Sequence, residues 1–120
     1  MPTEEVLKLL KNYLQIQTTQ RDGLRKKYNQ GGNGVSLMKS LVDKKNNYSY
    51  KKRTTPDMKK VVLKFRQNLS GGGSAIDEQI YQTQMLIGAL EGTGGPTNWL
   101  EADTLQDLKK ELEKLLKIGN

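Results

Sequence analysis

Apolar side chains at Val6, Leu7, Leu9, Leu10, Tyr13, Leu14 and Ile16 recur three and four residues apart, the spacing that lines one face of an α-helix. Ahead of them, Pro2-Thr3-Glu4-Glu5 supplies a capping hydroxyl and two acids suited to the positive end of a helix dipole. The pattern predicts a first helix from the start of the chain. Leu24 and Tyr28 continue the heptad seam of Leu7, Leu10 and Leu14. Gln17 and Arg21 fall on that same seam, and Gly23 costs about 1 kcal/mol relative to Ala, so the second half of the helix has the weaker signal.

Gln30-Gly31-Gly32-Asn33-Gly34 ends the first pattern, because fixing consecutive glycines in a helix is entropically expensive. Leu37, Met38, Leu41 and Val42 then share one stripe, which predicts a short helix over 35–44, followed by an exposed loop over 46–54. Thr55-Pro56-Asp57 reads as a helix start, with a capping hydroxyl, a proline at the first helical position and a first-turn acid. Met58, Val61, Val62, Phe65 and Leu69 follow at helical spacing.

The run Ser70-Gly71-Gly72-Gly73-Ser74 breaks that helix and has the composition of a flexible linker, natural or engineered. Ser74, with Asp77 three residues on, resembles an acidic capping box before Ile76, Ile80, Leu86, Ile87 and Leu90, and Gly92 is the expected stop. Asn98 is the expected cap of a last helix running through Trp99, Leu105, Leu108, Leu112 and Leu115. No fixed-period repeat is present. The elements add up to an all-α protein, a small bundle of four or five helices joined by Gly-rich loops, built as one domain over 1–120. The seams of Leu7, Leu10 and Leu14 and of Leu105, Leu108, Leu112 and Leu115 are expected either to form its core or to meet across a homo-oligomer. A hydrophobic fraction of only 34% keeps self-association in play.

Charge changes the picture more than composition does. The net +7 hides a division: residues 1–20 sum to zero, residues 21–66 hold fourteen Lys or Arg against three Asp, and residues 67–120 hold four Lys against eight acids. A +11 section therefore precedes a −4 helical section over 75–120, separated from it by the linker over 70–74. The basic section calls for an anionic partner, DNA or RNA or an acidic protein surface. The acidic section is expected to be solvated or to dock on the basic one, in which case deleting residues 98–120 would strengthen anion binding.

The missing residues exclude much chemistry. Without His or Cys there is no near-neutral acid–base group, thiolate nucleophile, disulfide or thiolate metal site. Asp103, Asp107 and Glu111 line one helical face at i, i+4 and i+8, but Lys110 and Lys114 sit beside them, so a solvated face is the expectation over a metal site. The glycine runs fail the phosphate-loop test, since Ser74-Ala75-Ile76-Asp77-Glu78 has acids and no lysine where phosphate would sit. No cofactor and no enzymatic activity are expected. No stretch has the roughly 18 apolar residues of a membrane span, and Glu4 and Glu5 stand where a signal peptide would be basic. No membrane insertion is expected, and an intracellular (cytoplasmic or nuclear) or virion-internal location is.

The positive signal is Lys44-Lys45-Asn46-Asn47-Tyr48-Ser49-Tyr50-Lys51-Lys52-Arg53, with Arg21, Arg25, Lys26 and Lys27 before it and Lys59, Lys60, Lys64 and Arg66 after it. Cations neutralise phosphates, and Tyr48 and Tyr50, two apart, face the same way in an extended strand and can stack on bases. The candidate nucleic-acid contacts are Arg21, Arg25, Lys26, Lys27, Lys44, Lys45, Tyr48, Tyr50, Lys51, Lys52 and Arg53. The plainer alternative is that a lysine-rich loop keeps a polar bundle soluble while its tyrosines pack on a helix. The same run also fits a nuclear-import signal or a contact with acidic lipids.

Overall fold

The structure is a computed structural model, and it describes residues 2–30, 57–72, 74–93 and 97–118. Among these residues there are four helices and no strand: α1 (Pro2–Gln30), α2 (Met58–Leu69), α3 (Ile76–Thr93) and α4 (Ala102–Ile118). The chain is an all-α small bundle. The helix expected over 35–44 and the loop over 46–54 lie outside the described residues.

Helix α1 runs unbroken through Gly23, so the polar seam positions Gln17 and Arg21 do not interrupt it. It packs against α3 and α4, and α2 packs mainly against α3. Val6, Leu10 and Tyr13 from α1, Val62 and Phe65 from α2, Leu86, Ile87 and Leu90 from α3 and Leu105, Leu108 and Leu112 from α4 form one buried cluster, joined by Leu100. Leu7, Leu14, Leu115 and Trp99 pack part-buried against it. The two leucine seams therefore close on the protein's own core. Leu10, Leu105, Leu108 and Leu112 are at most 2% exposed within one chain, so these four of the seven leucines are spent on the fold, while Leu7, Leu14 and Leu115 are part-buried. Lys109 ties α4 to α1 through Glu5 at 2.5 Å and holds that carboxyl below its ordinary range, chiefly by its hydrogen bond.

Three helix starts differ from their sequence expectations in the polar contacts that surround them. Asp57, not Thr55, caps α2: its backbone is extended (φ −76°, ψ 102°) and its Oδ1 accepts from the Lys59 amide at 3.1 Å, so the helix starts at Met58. Asp77 does not reach back as a capping-box acid. It is buried against α1, while Gln79 Nε2 donates instead to the Ser74 carbonyl at 2.7 Å. Thr97, not Asn98, receives the amides of Leu100 (3.1 Å) and Trp99 (3.3 Å), which closes a separate turn and delays α4 to Ala102.

Over residues 70–72 the expected linker is a built helix stop. The Gly71 amide donates to the Asn68 carbonyl at 3.1 Å and the Gly72 amide to the Gln67 carbonyl at 2.8 Å, the paired bonds that close a helix around a left-handed residue. That residue is Gly71, at φ +97°, and a Cβ on Gly72 would meet the Gln67 oxygen at 2.8 Å. Gly71→Ala is expected to lose about 1–2 kcal/mol from strain at positive φ. Gly88→Ala, in the middle of α3 with open space around it, is expected to gain about 0.5–1 kcal/mol. Urea denaturation of the two variants checks this, and a loss at Gly88 equal to that at Gly71 would contradict it.

Candidate nucleic-acid interface

The amphipathic pattern that builds α1 and α2 also decides which of their cations face water. Of the eleven candidate contacts, Arg21, Arg25, Lys26 and Lys27 lie on the last ten residues of α1, and Lys44, Lys45, Tyr48, Tyr50, Lys51, Lys52 and Arg53 lie outside the described residues. Lys26 and Lys27 are exposed, where their charge also suits the negative end of the α1 dipole. Arg25 is half-buried, and its Nε has no hydrogen-bond partner.

Arg21 is in a different situation. Its side chain is only 18% exposed, and its Nη1 lies 3.5 Å from Oδ1 of Asp77, whose side chain is 6% exposed. Asp22 on the same helix is a weaker neighbour at 4.0 Å. Neither Asp77 oxygen accepts a hydrogen bond, so the pair is held by charge alone. One turn earlier, buried Gln17 meets buried Thr83, whose Oγ1 donates to Gln17 Oε1 at 2.8 Å and is also 3.0 Å from the Gln79 carbonyl. As α1 advances from Gln17 to Arg21, its partners on α3 recede from Thr83 to Asp77, so the two helices are antiparallel. Asn68 Nδ2 donates to Gln82 Oε1 at 2.5 Å, and that bond adds α2 to the same polar layer. The polar residues on the α1 seam are thus answered by polar residues on α3, a match the sequence signals only as seam positions that are not apolar.

On α2, Lys59, Lys60 and Lys64 are exposed, and Lys60 and Lys64 border a cleft of about 320 Å³ with Glu78, Tyr81 and Gln82 of α3. Arg66 points the other way. Its Nε donates to both oxygens of Glu111 at 3.1 Å and its Nη2 to Oε1 at 2.6 Å. The Glu111 hydrogen bonds raise the guanidinium's pKa, partly opposed by burial. Such a two-pronged pair is among the stronger surface contacts.

The acidic section therefore does reach the basic one, through Asp77 to Arg21 and Glu111 to Arg66, but as part of the fold. Because α4 contributes Leu105, Leu108 and Leu112 to the core, deleting residues 98–120 would open the bundle, so the expected gain in anion binding cannot be read from that deletion. Asp103 and Asp107 are exposed and Glu111 is taken by Arg66, and no group of three metal-ligating side chains occurs among the described residues. No helix among them is long and apolar enough to cross a membrane. No protein-family model, curated protein or solved structure matches the chain.

Proposed function

We propose that the chain is a non-catalytic helical module that binds nucleic acid, DNA or RNA, through its basic section 21–66, mainly at the phosphate backbone. One observation carries this reading: among the described residues, most of the section's cations are left without an acidic partner. Arg25, Lys26, Lys27, Lys59, Lys60 and Lys64 have no ion-pair partner among the described residues, although eight acids follow in 67–120. Among the described residues, the acids of 67–120 that reach the section engage Arg21 and Arg66. Exposed uncancelled cations draw a polyanion by long-range attraction and by release of its counterions. The run over 44–53 adds Lys44, Lys45, Lys51, Lys52 and Arg53, with Tyr48 and Tyr50 as stacking groups for unpaired bases. Arg21 contributes through the fold, since its charge is already met by Asp77.

The test is fluorescence anisotropy with labelled single- and double-stranded DNA and RNA over a series of salt concentrations. Duplex DNA is expected to bind with log K falling linearly with log salt, by about 0.9 for each phosphate neutralised. Lys26→Ala/Lys27→Ala and Lys51→Ala/Lys52→Ala/Arg53→Ala should each weaken binding and flatten that slope by nearly 1 per contacting cation removed. Absence of binding to all four nucleic acids at low salt would overturn the proposal.

A further inference from the structure

Helices α2 and α4 leave between them a groove of about 510 Å³. Its apolar lining is Leu63, Leu69 and Leu115, and Leu63 is 58% exposed, the highest of the three exposed large apolar side chains among the described residues. Arg66 and Glu111 also line it, with their charges cancelled against each other. The two helices run the same way here, since Arg66 faces Glu111 and the lining continues to Leu69 and Ser70 on one side and Lys114 and Leu115 on the other.

On α4, Lys114 lines the groove, and Lys110 and Lys117, four before and three after it, share its strip on the helix. All three are exposed, and none has an ion-pair partner among the described residues. The acids of the same strip, Asp103 and Asp107, lie nearer the start of α4, on the other side of Glu111 from Leu115. The end of the groove over Leu69 and Leu115 is therefore bordered by uncancelled positive charge, although it belongs to the net-acidic part of the chain.

We propose that this groove docks an acidic amphipathic helix of a protein partner. Its aliphatic or aromatic side chains, three and four residues apart, enter between Leu63 and Leu115, and its carboxylates lie along Lys110, Lys114 and Lys117. The apolar lining favours a protein over nucleic acid, because a phosphate backbone has nothing to bury against Leu63. The lysine strip favours an acidic helix over the chain's own basic section, which it repels. The groove holds none of the eleven candidate nucleic-acid contacts, and this inference stands or falls independently of them.

The probe is a synthetic peptide of about four helical turns with Leu at i, i+3, i+4 and i+7 spacing and Glu elsewhere, titrated into methyl-labelled protein and followed by NMR. Saturable shifts are expected at the methyls of Leu63, Leu69 and Leu115. Leu63→Glu should weaken binding at least tenfold, and because Leu63 is exposed the fold is retained. Leu63→Gln, which adds no charge, should weaken it in the same direction. The triple change Lys110→Gln/Lys114→Gln/Lys117→Gln should weaken it and remove most of its salt dependence. Three results would each overturn the proposal. One is no saturable shift at these methyls up to ~1 mM peptide, beyond the range of a specific contact. The second is equal affinity for a peptide carrying Lys in place of Glu. The third is that short duplex DNA shifts the same methyls and the peptide fails to displace it.

Discussion

Phe65→Ala is expected to lower the unfolding free energy by about 3–5 kcal/mol, the usual cost of removing a buried aromatic ring, and to do so by loosening α2 as a unit. Helix α2 has only two buried anchors, Val62 and Phe65, and Phe65 is 1% exposed. Its ring meets Tyr13 of α1 edge to face, with centroids 5.8 Å apart and planes at 85°, a contact worth about 0.5–1.5 kcal/mol beyond the area it buries. Urea denaturation of wild type, Phe65→Leu and Phe65→Ala measures the loss, with Phe65→Leu expected to fall between the other two. Against a total stability of about 5–15 kcal/mol for a chain of this size, such a loss is large. A change below about 1 kcal/mol would show that α2 does not depend on this anchor.

Tyr13 supplies a second readout. Burial pushes its phenol above the ordinary value of 10.0, with Gln17 partly opposing the shift. The folded state thus holds its proton more tightly than the unfolded state does. The contribution to stability is complete below the unfolded pKa and is lost as pH rises through the folded one. In Phe65→Ala, water reaches the ring, so the Tyr13 ionisation should return toward 10.0 and this alkaline loss of stability should shrink. An unchanged Tyr13 titration in a folded Phe65→Ala protein would mean that other neighbours bury it.

The apolar spacing was enough to read α1, α3 and α4 from the chain, because each buries a stripe that repeats every three or four residues. Where the helices begin was less legible. Thr55-Pro56-Asp57 and Thr97-Asn98 each offer two side chains able to cap, and local hydrogen bonding decides between them: Asp57 accepts the Lys59 amide and caps α2, and a turn closed on Thr97 starts α4 later. The glycines at 71 and 72 look like slack in composition. Their conformation, one at positive φ and one with a carbonyl where its Cβ would be, makes them a helix stop.

The candidate site shows a different limit. Summing charge located the +11 section but could not tell which cations are already matched, because the matching acids are distant in sequence: Asp77 for Arg21 and Glu111 for Arg66. Gln17 and Arg21 read as faults in an apolar seam for the same reason, since their partners Thr83 and Asp77 are on α3 and only the fold brings them alongside. Lys110, Lys114 and Lys117 were hidden in the opposite way, inside a section whose total is negative.

Removing Asp77 should be costly, and removing both members of its pair should not. Asp77→Ala leaves Arg21, 18% exposed, with only the exposed Asp22 at 4.0 Å, and Arg21→Met leaves a carboxylate 6% exposed with no hydrogen bond on either oxygen. Each single change is expected to destabilise by about 1–3 kcal/mol, less than the 3–5 of a fully buried pair for Asp77→Ala because the Arg21 guanidinium can still reach water. The double variant Arg21→Met/Asp77→Leu substitutes apolar groups of similar length and should be about as stable as wild type, or up to several kcal/mol more stable. Urea denaturation of the four proteins closes the cycle: with a double variant matching wild type, the coupling equals the summed single losses, about 2–6 kcal/mol. Additive losses would show that the pair contributes nothing as a pair. The same double variant separates fold from function. If Arg21 serves the bundle and Lys26 and Lys27 serve the anion, Arg21→Met/Asp77→Leu keeps nucleic-acid affinity at each salt concentration while Lys26→Ala/Lys27→Ala loses it. A folded double variant that binds as weakly as the lysine variant would instead make Arg21 a phosphate contact that leaves Asp77 when the partner arrives.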